Sequence, residues 1–204
     1  MSGDSVVRLL ARTFIGLFIC AVSAGVWADE QDDARKVVDT LHNQLFSVAS
    51  DSTLGFNQRF EQLTPVVEAS YNFEYIGRFI LRRSWKGLEP MQREKFLAAF
   101  KRLSVANYAS RFAEIDERSL VITDVGPGSG ERVQVEAHLQ TDKHDLPLTY
   151  TLQESEDNNW TIVNVVADGV SDLALRRAEY TRVLKDKGFD GLLEHIDNQT
   201  ADLK

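Results

Sequence analysis

The spacing of apolar residues divides the chain into two kinds of structure. Between Asp29 and Phe112 they recur every three or four positions, the period of an amphipathic helix. Pro65 is expected to bend or end one of these helices. The pattern predicts four helices: Gln31–Ala49, a second capped by Asp51-Ser52-Thr53, a third over Tyr71–Trp85 that stops at Gly87, and a long fourth beginning at Pro90.

From Leu120 the period changes to two, which is typical of strands with one buried face. Turn-forming residues separate the predicted strands Leu120–Val125, Val133–Leu139, Leu146–Leu152 and Trp160–Ala167. A helix resumes after Asp168-Gly169 with Ser171 as its cap; Gly188 ends it, and Asp190 starts a last short helix. The order predicts an α+β fold, with a curved antiparallel sheet of about four strands covered on one face by N-terminal and C-terminal helices.

The first 28 residues have the pattern of a secretory signal peptide. Arg8 and Arg12 precede an uncharged apolar run, Phe14–Val22, which is too short to span a bilayer. Val26-Trp27-Ala28 suits signal peptidase, and acidic residues follow directly. The sequence therefore predicts a cleaved signal over residues 1–28 and one exported domain over residues 29–204.

Composition narrows the function further. The only cysteine, Cys20, lies inside the predicted signal peptide, so the mature domain is expected to contain no disulfide. The chain carries a formal net charge of −8, which argues against nucleic acid as a partner.

A search for catalytic patterns finds little. The sequence has no Gly-x-Ser-x-Gly elbow, and Gly126–Gly130 is better explained as a hairpin turn than as a phosphate loop. The four histidines, at positions 42, 138, 144 and 195, lack the spacing of a metal site on one element. Tyr150 is the only titratable side chain expected on the inner sheet face, and we interpret it as a core tyrosine. No catalytic residue, metal or cofactor is predicted.

Two short segments concentrate positive charge. Arg78, Arg82 and Lys86 follow a spacing of four, which predicts one solvated helix face. Arg176, Arg177 and Arg182 form a second cluster. On an acidic protein, two such clusters would orient the molecule toward an anionic lipid headgroup or an acidic partner.

Several segments resemble one known family over nearly all of the mature chain. The stretch Trp160–Ser171 and the helix that follows it resemble the strand, tight turn and helix of the MlaC family of periplasmic lipid-transport proteins. Other segments agree in the same order: Phe60–Pro65, Tyr75–Leu81 with Trp85, Gln92–Phe100 with Tyr108, and Lys187–Leu192. Within the family, the segments similar to the hopanoid-associated HpnM branch are Leu54–Phe56, Asn107–Phe112 and Ser171–Arg177.

The resemblance implies a periplasmic carrier that holds the acyl chains of a phospholipid, or a hopanoid-type lipid, between sheet and helices. It also implies exchange of lipid with an inner-membrane ABC lipid transporter complex and an outer-membrane lipoprotein complex. Two other readings stay open: an isomerase or cyclase acting on an isoprenoid, with Tyr150 or a loop aspartate as its acid, and a lipid-free adaptor with a well-packed interior.

A carrier of this kind needs an apolar pocket between the sheet and the aromatic helices. Val170 is expected to turn toward the junction of sheet and helix at the edge of that pocket. The predicted lipid-binding residues are Phe73, Ile76, Phe79, Phe96, Phe100, Leu103, Tyr108, Val133, Val135, Leu148, Tyr150, Val166 and Val170.

Overall fold

The computed structural model describes residues 22–111, 120–140 and 145–204. Residues 1–21 of the predicted signal peptide, with Cys20, and His144 lie outside this part of the chain. The elements in order are α1 (Val22–Ala49), α2 (Phe56–Ser70), α3 (Phe73–Leu81), α4 (Arg83–Gly87), α5 (Pro90–Arg111), β1 (Leu120–Pro127), β2 (Arg132–Gln140), β3 (Asp145–Glu154), β4 (Trp160–Ala167), β5 (Val170–Ser171) and α6 (Asp172–Ala201).

The strands form one antiparallel sheet in the order β1-β2-β3-β4-β5. The α+β prediction is confirmed, with one strand more than expected, because the two-residue β5 pairs with the end of β4. Asp168 and Gly169 connect them with φ of 48° and 75°. Positive φ at both central residues is the signature of a type I′ hairpin turn, which aspartate and glycine tolerate best.

The first two helices differ from the prediction at their amino ends. α1 begins at Val22 rather than Gln31, since no proline interrupts the intervening residues, and the predicted cleavage point after Ala28 falls inside it. Asp51 does not cap α2; its carboxylate accepts hydrogen bonds from Thr53 in the preceding turn. The cap is Gly55, whose backbone N–H donates to Gln58 Oε1 at 2.9 Å.

Pro65 does not end α2, which continues to Ser70. Proline removes one backbone hydrogen bond and strains the preceding turn. The buried side chains of Leu63 and Val67 flank it, and α2 packs against both α1 and α5. This packing offsets the local cost, so the helix continues through the proline.

The predicted third helix is two helices, because Arg82 between α3 and α4 has a φ of 47°. The chain therefore changes direction there, and the prediction that Arg78, Arg82 and Lys86 share one helix face is wrong. Gly77 lets α3 approach α5 closely, since a Cβ there would lie 3.0 Å from Leu97 and 3.3 Å from Phe96.

α6 bends at Gly188, which has φ of 71° and ψ of −173° inside an otherwise helical run. A left-handed φ costs glycine little, whereas it strains residues with a Cβ. The predicted break at this glycine is therefore confirmed, although both halves follow each other without a loop.

Helices cover one face of the sheet. α1 packs against β1, β2 and β4, while α6 contacts α3, α5 and β4. The residues with the least exposure include Val38, Leu41, Phe96, Val135, Leu152, Ile162, Tyr180, Leu192 and Ile196. None of the helices in the described part of the chain is long and apolar enough to cross a membrane.

Candidate functional site

A cavity of about 340 Å³ lies between the sheet and helices α3, α5 and α6. Its volume is at the low end of the range for small-molecule sites, about 300–1,000 Å³. Most of its wall is apolar or aromatic. The lining residues are Tyr71, Phe73, Ile76, Ile80, Phe100, Ser104, Asn107, Tyr108, Leu139, Leu146, Leu148, Tyr150, Val163, Asn164, Val165, Ala167, Asp172, Leu173 and Arg176.

The strand wall follows from the two-residue period. Leu146, Leu148 and Tyr150 alternate along β3 and all reach the cavity. In the neighbouring strand β2, Leu139 pairs with Leu146 and also lines it. The opposite wall follows the helical period, because Phe73, Ile76 and Ile80 lie three and four residues apart on α3.

A β-bulge decides which residues of β4 face the cavity. Leu152 pairs with Ile162 but Thr151 pairs with Asn164, so Val163 is the extra residue. Beyond the bulge the alternation changes parity, and Val165 and Ala167 lie opposite Tyr150 and Leu148. Val166 lies opposite Thr149 and is not part of the cavity wall. The prediction that Val166 faces inward is therefore wrong.

Three tyrosine hydroxyls lie in the cavity wall. Tyr71 and Tyr108 hydrogen bond to each other, and Tyr150 Oη lies 3.0 Å from Nε2 of His42 on α1. Tyr71 is held beside β4 because the backbone N–H of Asn72 donates to the carbonyl of Ile162 at 3.0 Å. The hydroxyls thus make protein hydrogen bonds while the rings present apolar surface.

Burial keeps these groups neutral. It raises the pKa of Tyr108 to about 12 and that of Tyr150 well above its usual value of 10, since the phenolate would lose its hydration. Burial also lowers the pKa of His42 from 6.5 to about 4, because the imidazolium is the form that is penalised. At neutral pH the His42–Tyr150 pair carries no charge.

Charged groups occur where the cavity reaches the surface. Arg176 Nε donates to Asp172 Oδ2 at 2.9 Å, and Nη1 donates to Tyr180 Oη at 3.1 Å. The guanidinium lies 5.6 Å from the centre of the Phe100 ring. Burial acts to lower the pKa of Arg176, but the charge interactions and hydrogen bonds with Asp172 and Tyr180 together outweigh it, and the net shift is upward. The Asp172 side chain is 59% exposed and that of Arg176 only 17%.

Six of the predicted lipid-binding residues line this cavity: Phe73, Ile76, Phe100, Tyr108, Leu148 and Tyr150. Four others are buried in the surrounding core instead: Phe96, Leu103, Val133 and Val135. Phe79 is partly buried outside the wall, and the guanidinium groups of Arg82 and Arg177 lie 5.9 and 5.6 Å from the centre of its ring.

Val170 is 50% exposed and does not line the cavity. It lies in β5, the edge strand that follows a tight turn, where one side of the strand has no neighbouring strand. The prediction that its side chain turns into the junction of sheet and helix is therefore wrong.

Several wall residues were not predicted. Leu139 and Leu146 carried a signal, since they continue the alternation on which Leu148 and Tyr150 were chosen. The sequence also contained a signal for Asp172 and Arg176, because a spacing of four on a helix brings opposite charges together. The sequence contained no signal for Val165 and Ala167, because no pattern in it predicts the bulge that turns them inward.

The remaining candidates for chemistry are weaker. A more open depression of about 480 Å³ lies between α2 and α5, with Glu68 and Lys101 paired at its rim. In residues 22–111, 120–140 and 145–204, no group of three or more His, Cys, Asp or Glu side chains could hold a metal ion.

Comparison with known proteins identifies the relatives of this fold. The sequence profile described as "MlaC protein" matches residues 35–198. The structure is similar to that of a phospholipid-binding protein from Ralstonia solanacearum, solved in complex with a phospholipid. The TM-score is 0.73 at 18% sequence identity, and the match covers 84% of this chain and 98% of the other. At this identity the likeness demonstrates a shared fold.

Proposed function

The chain belongs to the MlaC protein family, and on that basis we propose that it is a lipid-binding protein that encloses the apolar part of a phospholipid in the cavity. The observation that carries the proposal is the apolar cavity between sheet and helices, in a fold shared with a protein solved with phospholipid. Rings and aliphatic chains from both layers supply a wall suited to acyl chains.

The size of the cavity limits how a lipid fits. A volume of about 340 Å³ corresponds to roughly 11 groups the size of a water molecule, each about 30 Å³. A methylene group is of similar size, so the cavity as shaped holds about 11 methylenes, which is only part of the apolar portion of a phospholipid. We therefore expect the sheet and helices to separate further when a lipid with two chains binds.

The energetics favour transfer of the lipid during direct contact with a membrane or a partner protein over release of the lipid into water. Transferring about 30 methylenes from water to an apolar site gains on the order of 24 kcal/mol before costs, at roughly 0.8 kcal/mol each. Transfer from a bilayer moves the chains from one apolar medium to another, so its net free energy lies near zero. The direction of lipid transport must then be set by partner proteins.

We infer that the protein acts in the periplasm as a shuttle between the two membranes. The predicted signal peptide and the family support this location. The partners proposed are an inner-membrane ABC lipid transporter complex and an outer-membrane lipoprotein complex. The HpnM-like segments keep a hopanoid-type lipid as an alternative cargo for the same cavity.

The two rival functions fit the site less well. An isomerase or cyclase with Tyr150 as its acid would need this group to titrate near the working pH, whereas burial raises the pKa of Tyr150 well above 10 and the pKa of its partner His42 is about 4. A lipid-free adaptor would need a tightly packed interior, whereas the layers enclose a cavity. A non-enzymatic binding role is therefore the function we propose.

Lipid extraction tests the proposal. We expect protein purified from the periplasm to release about one phospholipid per chain, identified by native mass spectrometry and by mass spectrometry of the extract. A delipidated sample should regain lipid from vesicles. Protein that carries no lipid and takes up none from vesicles would contradict the carrier function, and a hopanoid as the main extracted species would change the cargo.

A further inference from the structure

We propose that the Asp172–Arg176 pair at the mouth of the cavity selects a zwitterionic, amine-bearing phospholipid headgroup. This inference rests on the proposed lipid-binding function and specifies its substrate class. Phosphate would bind the guanidinium of Arg176, and the ammonium group would bind the carboxylate of Asp172.

Arg176 lines the cavity and has unused hydrogen-bonding capacity. A guanidinium has five N–H donors, and two of them are used, by Asp172 and by Tyr180. The described residues provide no hydrogen-bond partner for Nη2. This nitrogen is not sealed in the interior, because the described part of the chain has no buried side-chain nitrogen or oxygen without a partner. Nη2 can therefore bind a phosphate oxygen at the cavity wall.

Arg176 is also held in place. Its guanidinium packs over Phe100 at 5.6 Å and is fixed by two hydrogen bonds, while only 17% of the side chain is exposed. A cation held in this way loses less freedom on binding phosphate than an extended surface side chain does. Charge-assisted bonds from such a donor are stronger than neutral ones.

Asp172 supplies the complementary group four residues away. Its Oδ2 accepts from Arg176, while the described residues give Oδ1 no partner and the side chain is 59% exposed. The pair thus presents a donor and an acceptor side by side with no net charge. An anionic headgroup without an amine would satisfy Arg176, but it would leave Oδ1 of Asp172 without an added partner and would add a net negative charge to the neutral pair.

The other polar residues of the wall are engaged within the protein. Ser104 Oγ and Asn107 Nδ2 donate to carbonyls of their own helix, at 2.9 and 2.8 Å. Asn164 Oδ1 accepts from Ser171 Oγ at 2.9 Å. The charged pair is therefore the strongest polar feature that the mouth offers to a headgroup.

The test is a competition between two lipids with identical acyl chains. Delipidated protein is incubated with vesicles of equal parts dioleoyl phosphatidylethanolamine and dioleoyl phosphatidylglycerol, reisolated, and its lipid is quantified by mass spectrometry. We expect the wild type to bind the ethanolamine lipid in about five-fold excess. Asp172→Asn should reduce this excess to about one.

Asp197→Asn is the matched control. Asp197 is also on α6, is similarly exposed, and pairs with Arg102 at 2.9 Å outside the cavity wall. This variant should keep the five-fold excess.

Equal loading of both lipids by the wild type, an excess of the glycerol lipid, or an undiminished excess in Asp172→Asn would each overturn the selection while leaving lipid binding intact. Failure of the wild type to load either lipid would overturn the proposed function and this inference together.

Discussion

The inner face of the sheet has two halves that look alike in sequence and differ in structure. At one end Val133, Leu152 and Ile162 are at most 1% exposed and pack into continuous core. At the other end Leu139, Leu146 and Leu148 line the cavity. Tyr150 lies between the halves, bonded to His42 on α1 and open to the cavity on its other side. Alternation thus determines which face is apolar, whereas the helices above it determine whether that face becomes core or site.

The largest expected difference comes from one pair of leucines. Leu152 and Leu148 lie four residues apart on the same face of β3, one in the core and one in the cavity wall. Leu152→Ala should lower the free energy of unfolding by about 4 kcal/mol, because it leaves a new cavity in packed surroundings. Leu148→Ala should cost about 1–2 kcal/mol, because this side chain already borders open volume.

Urea denaturation of both variants, in delipidated protein, measures the difference. Comparable losses of stability for the two leucines would mean that the halves of the sheet face are packed equally well. That result would remove the contrast on which the site is based.

The second comparison enlarges side chains instead of shortening them. Ala137 and Ala167 lie on either side of Leu148 in the same row of the sheet, but only Ala167 lines the cavity. Ala137→Phe should cost up to about 3 kcal/mol, since overpacking strains a filled core. Ala167→Phe should fold with little loss, because the ring extends into the cavity.

Lipid content is a second measurement for the cavity variant of this pair. Ala167→Phe should retain only a small fraction of the bound lipid, measured as phosphorus per chain after loading from vesicles. Wild-type lipid content in this variant would locate the acyl chains elsewhere.

The smallest effect is expected at the border between the halves, where His42 contacts Tyr150, and this effect depends on pH. His42 has a pKa of about 4 in the folded protein against 6.5 as its usual value, so the unfolded chain binds more protons between these two pH values. The stability contributed by neutral His42 is complete above pH 6.5 and is lost as the pH falls toward 4. We expect the loss between pH 7 and pH 5 to be about 2 kcal/mol.

His42→Gln removes this titration while a neutral amide remains near Tyr150. Urea denaturation at pH 7 and pH 5 should therefore show about 2 kcal/mol less pH dependence in the variant than in the wild type. Equal pH dependence in the two proteins would mean that His42 is protonated in the fold at pH 5, and hence that the border admits water.

The sequence by itself was sufficient for the fold class and most element boundaries. The period of apolar residues identified the strands and the long helices, and Pro90 and Gly188 marked a helix start and a helix break as predicted. These features are local, since they depend on side-chain periodicity and on the dihedral angles that single residues allow. The family resemblance also came from contiguous segments, and the family is confirmed.

The site was decided by tertiary structure. Phe96 and Phe100 lie one turn apart on α5, yet only Phe100 reaches the cavity. Val166 was displaced from the wall by a bulge three residues earlier in β4, and Val170 by its place on an edge strand. Asp172 and Arg176 reach the cavity because α6 packs against β4 as well as against α3 and α5. Periodicity specifies the side of an element that is apolar, but the neighbours that cover it are distant in sequence, so core and cavity share one pattern until the layers are packed.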